Sequence, residues 1–146
     1  GTSTFASAST LRGTNVLKLN GATAGYVADE MITQTVTGGT AKGTVVSWDA
    51  TNGILKYYQS ASLHTDGGKI LAFESNASNA VVGSTSSASG TVDTAQDAVL
   101  SDISFTGGLA SPELEPNSGE IVYIENRRQI TRAADQIEDI KLVIEF

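Results

Sequence analysis

Between Gly43 and Gln59 the chain spells out a complete antiparallel hairpin, and no other segment constrains the fold as strongly. Val45, Val46 and Trp48 lie in the first arm, Asp49-Ala50-Thr51-Asn52-Gly53 make the turn, and Ile54 to Gln59 return. The Asn52-Gly53 pair is expected to supply the positive φ angles of a tight turn. The same pattern recurs elsewhere. Val16 to Leu19 is a short apolar strand closed by Asn20-Gly21. Met31 to Val36 alternates Met31, Thr33 and Thr35 with Ile32, Gln34 and Val36. A polar link with His64, Asp66, Gly67 and Gly68 precedes a strand expected over Ile70 to Glu74. Fifteen glycines, only two prolines and abundant Thr, Ser and Val fit many short strands joined by tight turns. The expected fold is all-β: an antiparallel sandwich or small barrel of hairpins, with at most one short helix near the C-terminus.

An internal echo supports paired hairpins. Val36-Thr37-Gly38-Gly39-Thr40 followed by Gly43-Thr44-Val45 is answered by Val82-Gly83-Ser84-Thr85 followed by Gly90-Thr91-Val92. Each copy reads as a strand, a Gly/Thr/Ser turn and a returning strand, which suits a small barrel or sandwich. Residues 1–12 read as a loose lead-in, 13–110 as the β body, and 111–146 as a C-terminal strand–turn–strand unit packing on the body or a partner. Pro112 and Pro116, bracketing Glu113 and Glu115, mark the boundary.

The C-terminal unit is strongly patterned. Ile140, Leu142, Ile144 and Phe146 alternate with Lys141, Val143 and Glu145, the period of a strand with one face on a core. Ile121, Tyr123 and Glu125 alternate with Val122 and Ile124, so both faces are largely apolar, as in a central strand covered on both sides or one covered by a partner. Between them, Ile130, Ala133, Ala134, Ile137 and Ile140 recur at three and four, fitting one or two helical turns, although an extended hairpin arm fits the same residues.

Composition excludes several function classes. With no cysteine the chain has no disulfide, thiolate nucleophile or Cys-based metal site. Nine basic against sixteen acidic residues, a net charge of −7, argue against binding phosphate backbones, so no nucleic-acid partner is expected. No apolar run approaches membrane-spanning length, and no membrane partner is expected. Catalytic chemistry is equally scarce. His64 is the single histidine and lacks an apparent base or nucleophile, so it is expected to be a solvated loop side chain. Gly38-Gly39-Thr40-Ala41-Lys42-Gly43-Thr44 resembles a phosphate loop only superficially, since Gly43 separates Lys42 from Thr44 and a strand follows. Asp93, Asp97 and Asp102 lack the alternating spacing of a calcium loop. Asn76-Ala77-Ser78 matches a glycosylation sequon, a tripeptide common by chance. No enzyme, metal or cofactor is expected.

Two surfaces remain as binding candidates. Trp48, Tyr57 and Tyr58 cluster around the strong hairpin and, where exposed, could grip a glycan. Tyr57 and Tyr58 are adjacent on a strand, so they face opposite sides. Arg127, Arg128 and Arg132 form the basic cluster, beside Glu120, Glu125, Asp135, Glu138 and Asp139. Mixed charge next to apolar strands suits a protein–protein seam, and Tyr123, Arg127, Arg128, Arg132 and Ile137 are the candidate interface residues.

The ending from Ser118 to Phe146 carries Gly119-Glu120-Ile121-Val122-Tyr123, Glu125-Asn126-Arg127, Thr131-Arg132 and Asp135-Gln136 through Ile140 to Phe146. This segment resembles the C-terminus of a baseplate wedge subunit of T4-like contractile-tailed phages, in the versions carried by cyanophages. Thr44-Val45-Val46-Ser47-Trp48-Asp49 with Leu55-Lys56-Tyr57 is similar to Gly/Thr-rich β modules of tail proteins. The resemblance implies a mostly-β, non-enzymatic virion protein, assembled in the host cytoplasm, that pairs as a homodimer and contacts other baseplate wedge or tail proteins. Family chains are considerably longer, so it implies a C-terminal portion or a reduced relative. The alternative expectation is a receptor- or glycan-binding β module of a tail or surface protein.

Overall fold

The computed structural model describes residues 12–114. The C-terminal strands and the short helix expected between them lie outside the described residues, as does most of the lead-in. The described residues are all-β, without a helix. In chain order the strands are β1 (Asn15–Asn20), β2 (Met31–Val36), β3 (Gly39–Asp49), β4 (Ile54–Tyr58), β5 (Thr65–Asp66), β6 (Lys69–Ile70), β7 (Val81–Gly83), β8 (Ser89–Val92), β9 (Val99–Leu100), β10 (Ile103–Ser104) and β11 (Leu109–Ala110).

Six strands close into an antiparallel barrel in the order β1-β4-β3-β2-β7-β8. The ring shuts where Leu19 faces Val92 and Asn20 faces Thr91. Closure removes the free edges that an open sheet of this size would expose. The first half of β1 pairs instead with β11, so β1 serves three neighbours. Alternation sorts the side chains. Leu55 and Tyr57 point into the barrel, whereas Ile54, Lys56 and Tyr58 point out. Leu17, Leu19, Ile32, Val45, Leu55, Val81 and Val92 fill the interior, each aliphatic side chain contributing about 1.5–3 kcal/mol by leaving water.

Two patches of the barrel's outer wall are also covered. Val16 and Ile54 pack beneath Ile103, Phe105 and Ala110 in a second, smaller cluster. Along β3, the segment carrying β5 and β6 lies over Lys42 and Thr44, through Lys42 Nζ to Thr65 O (2.9 Å) and the Thr44–His64 contact.

Pairing exposes an approximate two-fold plan. Exchanging β1 with β4, β2 with β7 and β3 with β8 maps the barrel's pairings onto themselves. The barrel is thus two tandem three-stranded units, each a strand, a loop and a hairpin. The Gly-Thr-Val echo falls on matching positions: Gly43 faces Ile32 in one hairpin and Gly90 faces Val81 in the other. Each loop plugs one barrel end with an aromatic, Tyr26 packed edge-on to Trp48 and Phe73 edge-on to Tyr57. Each also sends a carboxylate to the other unit's hairpin tip. Glu74 Oε1 accepts from Thr37 N (2.9 Å), and Glu30 accepts from Thr85 N, Ser86 N and Ser86 Oγ at 2.7–2.9 Å.

Local chemistry explains the departures from the expected strands. Ile70 to Glu74 was expected to be one strand, but only Lys69–Ile70 pairs. Glutamine side chains take up part of the backbone in the rest of that segment. Gln34, buried inside the barrel, takes both Glu74 N (2.9 Å) and Glu74 O (3.1 Å), while Gln59 Nε2 donates to Leu71 O (2.8 Å). In the β3–β4 turn only Gly53 has positive φ (64°), and Asn52 does not. Asn52 instead donates through its side chain to Asp49 Oδ2 (2.6 Å).

Candidate functional site

One end of the barrel is formed by the end of β1, the β3–β4 turn and the β7–β8 turn, and the β1–β2 loop, residues 21–30, crosses it. A β-bulge between Val45 and Ser47 governs what sits there. Val45 faces Tyr57 and points inward; strict alternation beyond it would turn Trp48 outward. The extra residue, Val46, shifts the phase, so Trp48 lies opposite Leu55 on the inner face and packs against the barrel core. Its ring stands 5.1 Å from that of Tyr26. Tyr26 is itself fixed by its hydroxyl, which donates to Val81 O (2.7 Å), and burial pushes its pKa up to about 12.

Beside Tyr26 this end of the barrel is left open. A groove of about 390 Å³ runs between the β1–β2 loop and the β3–β4 turn, with Trp48 as one wall. Lys18, Asn20, Thr51 and Asn52 supply its polar lining, and Ala22, Ala24 and Gly25 its small apolar side. Trp48 also takes part in a second depression of about 270 Å³ on the outer wall, shared with Ser47, Lys56 and Ser101. The turn wall is held in shape by Asp49, whose carboxylate accepts from Thr51 N (2.9 Å), Asn52 N (3.2 Å) and Asn52 Nδ2. The Asn52 side chain and then its backbone, with Thr51, hold the Asp49 carboxyl below its usual pKa. Lys18 is neutralised locally by Asp93 at 3.8 Å, and its Nζ donates to Leu19 O and Asn20 Oδ1, both at 3.3 Å. Among the described residues, no hydrogen bond is made by Trp48 Nε1, Asn20 Nδ2 or the Thr51 hydroxyl. The groove therefore carries donors that are unpaired among the described residues, beside a lysine already paired with a carboxylate.

The three aromatic candidates do not form one patch. Trp48 lines the groove. Tyr57 is 4 % exposed and belongs to the core against Phe73, so it is not offered to a ligand. Tyr58 is 40 % exposed, but it stands on the outer wall with its ring against His64. Sequence reasoning missed Asn20, Gly25, Thr51 and Asn52 as lining residues. The signal was present in part: both Asn-Gly turns, Asn20-Gly21 and Asn52-Gly53, meet at this groove. The interface candidates Tyr123, Arg127, Arg128, Arg132 and Ile137 lie outside the described residues.

His64 corrects an expectation. It is fully buried rather than solvated. Ser60 N donates to its Nδ1 (2.8 Å), so the ring proton sits on Nε2 and faces Thr44 Oγ1 at 2.8 Å. Burial lowers its pKa, partly opposed by Ser60. This neutral imidazole anchors the 60–64 segment to β3 and faces no substrate-accessible space.

Other motifs resolve into structure. Gly38 to Thr44 is a hairpin turn and the start of β3, with Lys42 turned to Asp66 (3.4 Å). Asp93, Asp97 and Asp102 do not converge: Asp93 meets Lys18, Asp97 accepts from Gly107 N (2.6 Å), and Asp102 sits at φ 61° in the β9–β10 turn. Among the described residues no three His, Cys, Asp or Glu side chains gather as for a metal ion. Asn76 Oδ1 caps its own turn, accepting from Ser78 N and Asn79 N. Comparison with protein-family models, curated proteins and solved structures finds no match to this chain.

Proposed function

We propose that the chain is a structural protein of a contractile phage tail, a baseplate assembly component acting through protein–protein contacts. Two things support this reading. The residues of Ser118 to Phe146 resemble a baseplate wedge subunit. The other support is the way the barrel is attached. Its two flanks meet at one point: Glu113 N and Leu114 N donate to Arg12 O (2.8 and 3.2 Å), Arg12 N donates to Glu113 Oε2 (2.8 Å), and the Arg12 guanidinium donates to Ser111 O. A closed barrel held at a single base is suited to being carried by an assembly-forming segment, because its own pairing edges are consumed.

On this proposal the arginine cluster is the docking seam, and self-association falls with salt. The test is sedimentation of the full chain across concentration at low and moderate salt, beside Arg127→Glu/Arg132→Glu. A salt-sensitive dimer that the double variant weakens, with far-ultraviolet dichroism unchanged, is the expected result. A monomer at every concentration, or a dimer indifferent to the double substitution, would dismiss the arginine seam.

A further inference from the structure

The two-fold plan of the barrel makes the groove at Trp48 stand out. At the other barrel end the long connection, residues 59–80, crosses over and its Phe73 is 3 % exposed. At the Trp48 end the shorter loop, residues 21–30, reaches across with Tyr26 and leaves the space beside it unfilled. Barrel mouths of this kind are common seats for small ligands, and the volume is within the usual range for one.

We propose that this groove binds a neutral saccharide, seated against Trp48. The lining selects that class. An indole offers a broad apolar surface whose negative π-face attracts the weakly positive C–H groups of a sugar ring. Trp48 Nε1–H, Asn20 Nδ2 and the Thr51 hydroxyl, unpaired among the described residues, belong to residues that line the same groove and match hydroxyl oxygens. Charge is balanced, because Lys18 faces Asp93 and Asp49 is occupied by its own turn, so an anionic ligand gains no counter-charge. Pre-organisation favours binding as well. The turn wall is fixed by Asp49, and Leu19 N donates to Gly53 O (2.7 Å) to lock the turn to β1. A polar, open groove with one aromatic wall fits a ligand held in the millimolar range, strengthened when several copies act together.

The inference rests on the groove alone and stands or falls independently of the arginine seam. Trp48 is the chain's single tryptophan, so its fluorescence reports directly on the site. The full chain is titrated with glucose, galactose, N-acetylglucosamine and the β1,4-linked trisaccharide of N-acetylglucosamine, with glucuronate as an anionic control. A saturable fluorescence change with a neutral sugar, confirmed by ligand-observed NMR, is expected. Gly25→Leu supplies the decisive variant. Gly25 lines the groove and its φ is not in the left-handed range, and a Cβ there would stand 3.7 Å from Trp48 Cδ1, in normal contact, so a side chain can be introduced beside the indole without backbone strain. Its affinity is expected to fall at least about tenfold with the unfolding midpoint preserved. Thr51→Val, at an exposed turn position, is expected to weaken binding about twofold to fivefold and guards against misfolding of the first variant. A trisaccharide at least about tenfold tighter than its monomer points to a surface polymer, and equal affinities to a free sugar, each supporting the class. No saturable response to any neutral sugar, a preference for glucuronate, or unaltered binding by folded Gly25→Leu would overturn the assignment.

Discussion

Replacing Glu30 by glutamine removes a single charge while keeping the side chain's shape, and it tests how the barrel's two units are locked. The carboxylate is 4 % exposed and accepts four hydrogen bonds: Val27 N (2.8 Å) and Ser86 Oγ (2.7 Å) at Oε1, Thr85 N (2.9 Å) and Ser86 N (2.8 Å) at Oε2. It lies directly over Gly83, where a Cβ would come within 2.7 Å of Oε1, so the site leaves no room to re-orient. A glutamine presents one acceptor oxygen and one NH2 group: with the NH2 at the Oε2 position it faces two backbone N–H groups, and with the NH2 at the Oε1 position it faces Val27 N and the Ser86 hydroxyl, which can rotate to accept. In the second orientation one of the four bonds is lost, and Val27 N is left without a partner. With about 1–3 kcal/mol for one unsatisfied buried donor, the expected loss is about 1–3 kcal/mol, or roughly 5–10 °C in unfolding midpoint for a domain of this size.

The pH dependence of that loss makes the test sharper. Burial would raise the carboxyl's pKa, but the bonds from Ser86, Val27 and Thr85 outweigh it and hold the group below its ordinary 4.5. A depressed folded-state pKa means the contribution is complete above about pH 4.5 and vanishes as pH falls through the folded value. A protonated Glu30 meets the same excess of donors as glutamine. Urea unfolding of wild type and Glu30→Gln, followed by Trp48 fluorescence from neutral pH down to about pH 3, is expected to show two curves that converge at the acid end. Equal stability at neutral pH, or a gap that persists undiminished in acid, would refute the clamp.

Two further perturbations probe separate features. His64→Phe deprives Ser60 N and Thr44 Oγ1 of their partner and is expected to cost about 2 kcal/mol in urea unfolding. Because burial depresses the His64 pKa, its contribution is complete above about pH 6.5 and is lost as pH falls through the folded value; the variant should lack that stability slope, and an unchanged slope would refute the assignment. Gly53→Ala forces a side chain into φ 64° and against Leu19 O, so about 2 kcal/mol or more of destabilisation is expected, and a neutral result would refute the close approach.

Much of the fold was legible because it depends on local chemistry. The alternation of Met31 to Val36 and the turn at Asp49 to Gly53 are encoded within a few residues, and both elements stand where the pattern places them. Even the hydrophobic phase of Gln34, sharing a face with Ile32 and Val36, was visible; its reason was not. That reason lies forty residues away, in the backbone of Glu74, which also explains why Leu71 to Glu74 runs unpaired beside a sequence that reads as strand. The site was harder to see. A one-residue bulge at Val46 decides which way Trp48 points, and no composition or period announces a bulge. That Tyr57 and Tyr58 face opposite sides was legible from strand parity; which of them enters the core was not.

The Arg12–Glu113 clasp has a mechanical consequence. The chain enters and leaves the barrel side by side, where Val16 faces Ala110 across an antiparallel pair. Tension drawn through the flanking segments is therefore carried across the clasp from one flank to the other, and the six-stranded ring is bypassed while the clasp holds. Once it opens, the load peels β11 from β1 one rung at a time instead of shearing a whole ladder. The clasp is thus the first contact to yield under such a load, and while it holds the barrel and its groove keep their shape.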